Sequence, residues 1–428
     1  MQIYLVQPGD SLYQIANSFG SSIDDIVQAN ELETPESLVV GQAIVIPIVG
    51  QFYFVRPGDS LYTISQKFNL TIAELAQINA IDPNQPLPVN LRLYIPEQPK
   101  QMIESNAYVE PTGSTVSNTL INAAQKHADQ LTYLAPFSYQ VKRDGSLQAP
   151  LLNDFPNIAQ NNQAALMLVV TNLESGAFSE ELGSLIVNDH NVQNRLFDQI
   201  IATANEIGFR DVHFDFEFLP ASDREAYNQF LRRAKTRLSQ ENLLMSTALA
   251  PKTSATQEGQ WYQAHDYRAH GEIADFVVLM TYEWGYSGGP PMAVSPIDQV
   301  RRVVDYALTE IPAEKIMLGQ NLYGYDWTLP YEPGGDYARA ISPQQAIQLA
   351  HENNQAISYD STAQAPYFQY IDGEGNKHEV WFEDARSIQA KFDLIKEKHL
   401  RGISYWKLGL SFPQNWLLLS DNFTIKKY

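Results

Sequence analysis

The sequence predicts an α/β chain: a (β/α)8 TIM barrel with a small α+β insertion after its seventh strand, preceded by two small α+β modules. Three observations predict it. A segment near the N-terminus occurs twice at constant spacing, which marks two copies of one module. Beyond residue 100, eight short apolar runs alternate with helix-like stretches. One of those runs, Gly208 to Glu217, closes on two carboxylates. At 428 residues the chain exceeds one ordinary core, so several domains are expected.

The repeat comes first. Tyr4-Leu5-Val6-Gln7-Pro8-Gly9-Asp10-Ser11-Leu12-Tyr13 returns as Tyr53-Phe54-Val55-Arg56-Pro57-Gly58-Asp59-Ser60-Leu61-Tyr62. The same spacing carries Asn30 to Asn79 and Pro47 to Pro96. Each copy reads as a strand over Ile3–Val6, a Pro-Gly turn, and a helix over Leu12, Ile15 and Ala16 capped by Asp10 or Ser11. A second helix over Ile23, Ile26 and Val27 and a strand over Ala43–Ile46 complete it. The modules span residues 1–48 and 49–97, each with its own small core, a size that suits binding better than catalysis. A short stiff linker, Pro96 to Lys100, follows.

The eight runs are Met102–Tyr108, Leu131–Tyr139, Leu166–Thr171, Val212–Glu217, Leu243–Leu249, Phe276–Thr281, Ile316–Leu322 and Ile403–Leu408. Several are continuously apolar, as strands covered on both faces are. Helices are expected over Asn118–Ala128, Gln193–Asn205, Arg224–Leu238 and Pro296–Leu308. The barrel then occupies 101–428. The crossover from Leu322 to Ile403 is too long for one helix. It reads as an insertion over about 328–383, with a helix at Ala340–Glu352 and strands at Ala356–Tyr359, Tyr367–Ile371 and His378–Phe382. Asp384–Lys398 returns as the helix before strand eight.

Barrels of this kind hold their sites at the C-terminal strand ends. Asp215 and Glu217 end the fourth strand; Met280, Tyr282, Glu283 and Trp284 the sixth; Asn321, Tyr325 and Asp326 the seventh; Trp406 the eighth. Along strand four, His213, Asp215 and Glu217 share one face by alternation. Burying two neighbouring carboxylates raises the pKa of at least one, which supplies the acid that acetal cleavage needs. The alternative is an acidic edge strand facing water. His213 could donate to Asp215 and titrate near neutrality, or sit in the barrel as a satisfied core histidine.

The formal charge of −20 repels nucleic acid and anionic membranes, so neither is an expected partner. The absence of cysteine excludes disulfides and thiolate chemistry. No metal-binding motif is present, and neither metal nor cofactor is expected. The N-terminus carries no basic-then-apolar leader, and no apolar run is long enough to span a membrane. A monomer is expected.

The repeats resemble the LysM module, which binds N-acetylglucosamine-containing chains such as peptidoglycan and chitin. The resemblance implies glycan grooves near Gly9, Asp10, Ser11 and Asn30, and near Gly58, Asp59, Ser60 and Asn79; a helix C-cap is the other reading of the two asparagines. Residues 101–428 resemble glycoside hydrolase family 18. Asp211-Val212-His213-Phe214-Asp215-Phe216-Glu217 matches its acidic ladder on strand four, with His213 in place of an Asp. Met280-Thr281-Tyr282 and Tyr405-Trp406 match its patterns on strands six and eight. The resemblance implies Glu217 as general acid, Asp215 as support for the substrate's 2-acetamido nucleophile, and Tyr282 as a hydrogen-bond donor to it. This substrate-assisted mode departs from the two-carboxylate scheme. Paired LysM modules with Trp381-Phe382-Glu383-Asp384 resemble the spore cortex-lytic branch, which implies action on peptidoglycan in the outer spore layers. A chitin substrate or a non-catalytic glycan binder are the alternatives.

Overall fold

The computed structural model describes residues 1–428. Eight parallel strands close a ring: β1 (Gln101–Val109), β2 (Tyr133–Pro136), β3 (Ala165–Thr171), β4 (Phe209–Asp215), β5 (Leu244–Leu249), β6 (Phe276–Leu279), β7 (Ile316–Asn321) and β8 (Gly402–Trp406). The ring closes where Gly402–Tyr405 pair with Glu104–Ala107. Strands β3 and β4 run in register from Met167 against Asp211 to Thr171 against Asp215, after a shift between Phe209 and Asp211. Their apolar residues are fully buried, as strands wrapped by helices must be.

The local signals explain the entry into β4. Asp189 caps the helix His190–Ile207 by accepting from Asn191 and Val192 N–H. Gly208 ends it at φ 90°, a conformation that costs a side-chain-bearing residue dearly, and turns the chain into the strand. The run 131–139 is not one strand. It breaks at Phe137-Ser138, and Tyr139–Val141 is a separate short strand that pairs with β3 on one side and, through a turn at Asp144-Gly145, with Leu147–Gln148 on the other.

The insertion is a five-stranded antiparallel sheet in the order Arg339–Ile341, Gly324–Leu329, Lys377–Trp381, Ala365–Ile371, Ser358–Asp360. It takes in Gly324, ahead of residue 328. Its helix begins at Pro343, not Ala340, because Ser342 caps it and Arg339–Ile341 is spent as the edge strand.

Both N-terminal modules form, with Ser11 and Ser60 as helix N-caps. They differ in one respect that their similar sequences conceal. The first is docked. Ala43 and Val45 join the barrel's core, and Val39 joins the core under the insertion sheet. The Met1 ammonium meets Asp421, Glu31 bridges Lys126 and Ser411, and Ile357 N–H donates to Val40 O at 2.8 Å. The expected core of its own is present, around Val6, Leu12, Ile15, Ile26 and Ile44, and the module's opposite face adds a second contact, with the barrel and the insertion. The second module keeps a core of its own around Val55, Ile64, Leu75 and Leu93, and meets the first through Arg92, which donates to Ser18 O.

Candidate active site

A cavity of about 450 Å³ opens at the C-terminal ends of the strands. Asp215, Glu217, Met280, Tyr282, Glu283, Tyr325 and Trp406 all line it. The strand-end rule thus gathers residues from β4, β6, the segment after β7, and β8 into one cleft.

The chain fixes Glu217 through its backbone. Asn172, just past β3, accepts from Glu217 N–H at 3.0 Å and donates to Glu217 O at 2.9 Å. His265 takes Ala250 N–H on Nδ1 at 2.9 Å, so its Nε2–H donates to Phe216 O at 2.9 Å. Phe218 then turns left-handed at φ 58° and the strand direction ends. Trp261 donates its indole N–H to Glu217 Oε2.

Asp215 and Glu217 are 7% and 9% exposed. Burial raises both carboxyls, and for Glu217 the neighbouring Asp215 charge raises it further against the opposing Trp261 hydrogen bond. Both shifts favour the protonated carboxyl, the form a general acid needs. Asp215 Oδ1 is buried with no partner in the protein. An orphan acceptor in a cleft is costly unless a ligand donor meets it.

Of the two places open to His213, donor to Asp215 or core histidine, it takes the second and is not a substrate-binding residue on the cleft wall. It is wholly buried and outside the cavity lining, and neither ring nitrogen bonds Asp215. Ser246 Oγ donates to Asp211 Oδ2 at 2.6 Å, so it accepts from His213 Nδ1–H at 2.7 Å. His213 Nε2 then accepts from the Tyr108 hydroxyl at 3.0 Å. Burial pushes the imidazole down to about 3 and Asp211 up to about 7. His213 is a neutral core histidine that orients Tyr108, and Tyr108 is what faces the cleft.

Three further candidates also stay out of the cavity. Asn321 is buried and donates to Tyr323 O at 2.7 Å. Asp326 points to the other face of the insertion sheet, where it accepts from Tyr370, His378 and Arg339. Trp284 packs against the barrel core. Glu283, at φ 66°, does face in, and the hydroxyls of Tyr323 and Tyr325 both donate to its carboxylate. Its carboxyl is raised by burial, with the two tyrosines opposing.

In the modules, Asp10 and Asp59 staple their Pro-Gly turns. Asp10 accepts from Gln7 N–H and the Tyr4 hydroxyl, and Asp59 from Arg56 N–H and the Tyr53 hydroxyl. Gly9 and Gly58 supply the positive φ at each turn, and Ser11 and Ser60 spend their hydroxyls as caps. Asn30 is fully buried, with its amide exchanging bonds with Val45 N and O and donating to Ile26 O. Asn79 does the same to Tyr94 and Leu75. Both asparagines tie the end of the second helix to the closing strand.

Sequence reasoning passed over Tyr108, Glu110, Phe137, Phe178, Trp261 and Lys407, all of which line the cavity. Tyr108 and Glu110 obey the same strand-end rule that points to strands four, six, seven and eight, since they end strand one. Trp261 lies in an irregular stretch between β5 and the next helix and carries no local signal.

A parallel barrel whose strand ends hold a buried carboxyl pair ringed by aromatic side chains defines a barrel glycosidase. The chain belongs to the family described as glycosyl hydrolases family 18, whose sequence model matches residues 105–410; LysM domains match at 4–47 and 53–96. Among similar proteins is the cortical fragment-lytic enzyme of Bacillus subtilis (strain 168), 66% identical across 100% of this chain and 99% of its own. Two crystal structures resemble it over the full length. The Bacillus megaterium QM B1551 spore cortex-lytic enzyme SleL has a TM-score of 0.91 and 54% identity, covering 100% of this chain and 99% of its own. The Bacillus cereus spore cortex-lytic enzyme SleL has a TM-score of 0.92 and 51% identity, covering 100% and 98%.

Proposed function

We propose that this glycosidase hydrolyses N-acetylglucosaminyl bonds of spore cortex peptidoglycan or its fragments during germination, from a place in the outer spore layers and as a monomer. The observation that carries the reading is the unpartnered, buried Asp215 Oδ1 beside the Glu217 carboxyl in one cleft. A 2-acetamido group offers the missing donor. Its N–H fits Asp215, and its carbonyl oxygen is thereby turned toward the anomeric carbon.

The chemistry follows from the two carboxyls and the substrate's own acetamido group. Glu217 gives its proton to the glycosidic oxygen as the C–O bond breaks. The acetamido oxygen attacks the anomeric carbon from the opposite face. Asp215 takes up the positive character developing on the acetamido nitrogen, and the Tyr282 hydroxyl steadies the oxygen. Glu217, now ionised, removes a proton from the incoming water, and the configuration is retained. Asp215 and Glu217 stand side by side on one strand end, too close to flank a sugar as nucleophile and acid from opposite sides. The LysM modules hold the enzyme on the polymer and raise the local concentration of bonds.

The test is mass spectrometry of fragments released from spore cortex. A new reducing end on N-acetylglucosamine is the expected result, and a new reducing end on the muramic sugar would reject it.

A further inference from the structure

We infer that Lys407, paired with Glu110 at the mouth of the cleft, recognises a carboxylate on the lactyl arm of the sugar beside the cleaved one. The inference rests on the peptidoglycan reading above and names the group that sets an acid-bearing glycan apart from a neutral one.

The two residues hold equivalent places. Glu110 directly follows β1 and Lys407 directly follows β8, neighbouring strands that pair with Tyr405 against Ala107. Both side chains line the cavity, and their ion pair joins Nζ to Oε2. Each is 30% exposed. Ion pairs as wet as this add little to stability, so the barrel has no need of it.

The charge balance of the cleft gives the pair its meaning. The other ionisable groups on its wall, apart from tyrosines, are Asp215, Glu217 and Glu283. Lys407 is the only cation among the lining residues. In a chain of net charge −20, Lys407 is the one attractive charge that an anionic substrate meets on this wall.

Its position also suits the task. Trp406 lies edge-to-face with Phe137 at 4.7 Å and with Tyr108 at 5.4 Å, leaving an aromatic platform in the cleft. The Lys407 ammonium sits 5.6 Å from the Trp406 ring centre. A pyranose stacked on this platform presents its ring substituents sideways, toward that ammonium. N-acetylglucosamine carries only hydroxyls and an amide there. A muramic sugar carries a 3-O-lactyl arm that ends in a carboxylate, or in a peptide that itself ends in carboxylates. Binding exchanges one anion for another: the substrate carboxylate takes Nζ in a charge-assisted hydrogen bond, and Glu110 turns to water.

The experiment compares kcat/KM of the full chain on four probes. These are a glycan fragment with a free lactyl carboxylate, the same fragment with its lactyl carboxyl converted to a neutral amide, the peptide-bearing fragment, and a neutral N-acetylglucosamine oligomer. Lys407→Gln is expected to lower the ratio of acid to amide turnover about tenfold, the loss of one charge-assisted hydrogen bond. Glu110→Gln, which frees the ammonium, is expected to raise the same ratio. A shift confined to the peptide-bearing probe assigns the carboxylate to the peptide, and a shift on the bare lactyl probe assigns it to the sugar's own arm. Either variant lowering all four probes equally would mark the pair as a structural strut and overturn the inference. A wild type that cleaves the fragments with Lys407→Gln ratios unmoved overturns it alone. A wild type that cleaves only the neutral oligomer overturns the peptidoglycan reading together with it.

Discussion

Replacing Gly41 by Ala tests whether the first LysM module is part of the catalytic body. Gly41 stands at φ 83°, and a Cβ built there falls 2.0 Å from Ile357 O, far inside contact distance. The left-handed conformation alone costs a side-chain-bearing residue roughly 1–2 kcal/mol. Relieving the overlap means drawing the loop away from the insertion. That breaks Ile357 N–H to Val40 O at 2.8 Å and weakens Arg386 to Gly41 O at 3.2 Å. Leaving the buried Ile357 N–H unpaired costs about 1–3 kcal/mol. Val39, 5% exposed in the core beneath the insertion sheet, loses part of its burial as well. The first two costs together come to about 2–5 kcal/mol. The second module supplies the control: Asn90 holds the corresponding place, is exposed, and makes no comparable approach to the barrel. The assay is urea unfolding followed by tryptophan fluorescence, beside turnover of a soluble fragment. Gly41→Ala should unfold at clearly lower urea and raise KM, because Tyr325 and Ala340 of the insertion line the cleft. Asn90→Ala should change stability by no more than its own left-handed strain. Equal behaviour of the two variants would refute the claim that the first module is integral.

Glu217→Gln should lower kcat about 10²–10⁴-fold, the usual contribution of a general acid, with glycan binding retained; wild-type turnover would remove Glu217 from its role. Asp215→Asn should cripple turnover, and glucosides without an N-acetyl group should be inert to the wild type; efficient cleavage of a plain glucoside would show that the acetamido group is not the nucleophile. The same variant should be more stable than wild type above neutral pH. Burial raises the folded-state pKa of Asp215 above its unfolded value, so the stability linked to that proton is present at low pH and lost as pH rises through the folded pKa. Thermal unfolding at pH 5 and pH 8 checks the sign, since the advantage of the variant should be larger at the higher pH. His213→Asn should destabilise the barrel while leaving both limbs of the pH–rate profile in place, because the imidazole is already neutral across that range; a displaced limb would make His213 a titrating participant.

Tyr108 joins the catalytic face to the barrel interior. Its hydroxyl begins a chain that runs through His213 and Ser246 to Asp211, with each donor and acceptor spent once. The histidine in the acidic ladder thus spares the site a further buried charge. It puts a neutral hydrogen-bond relay where the family pattern places a carboxylate, and it leaves Asp215 and Glu217 to share the cleft.

What the sequence determined by itself is what repeats or alternates. The two modules follow from copied residues, the eight strands from apolar runs, and Asp215, Glu217, Met280, Tyr282 and Trp406 from the rule that strand ends carry the site. These are local properties, and each is written within a few neighbouring residues. What the tertiary structure alone decided is where side chains of similar chemistry point. Asp326 and Tyr325 are adjacent in sequence, yet the sheet turns one toward a polar outer pocket and the other toward the cleft. Asn30 and Asn79 look like groove residues and serve as braces. The two modules share a pattern, but only the first gives its Val39, Ala43 and Val45 to another domain's core. Burial and pairing across long stretches of chain settle these matters, because a side chain's partners depend on which distant backbone passes close to it, and no local pattern encodes that approach.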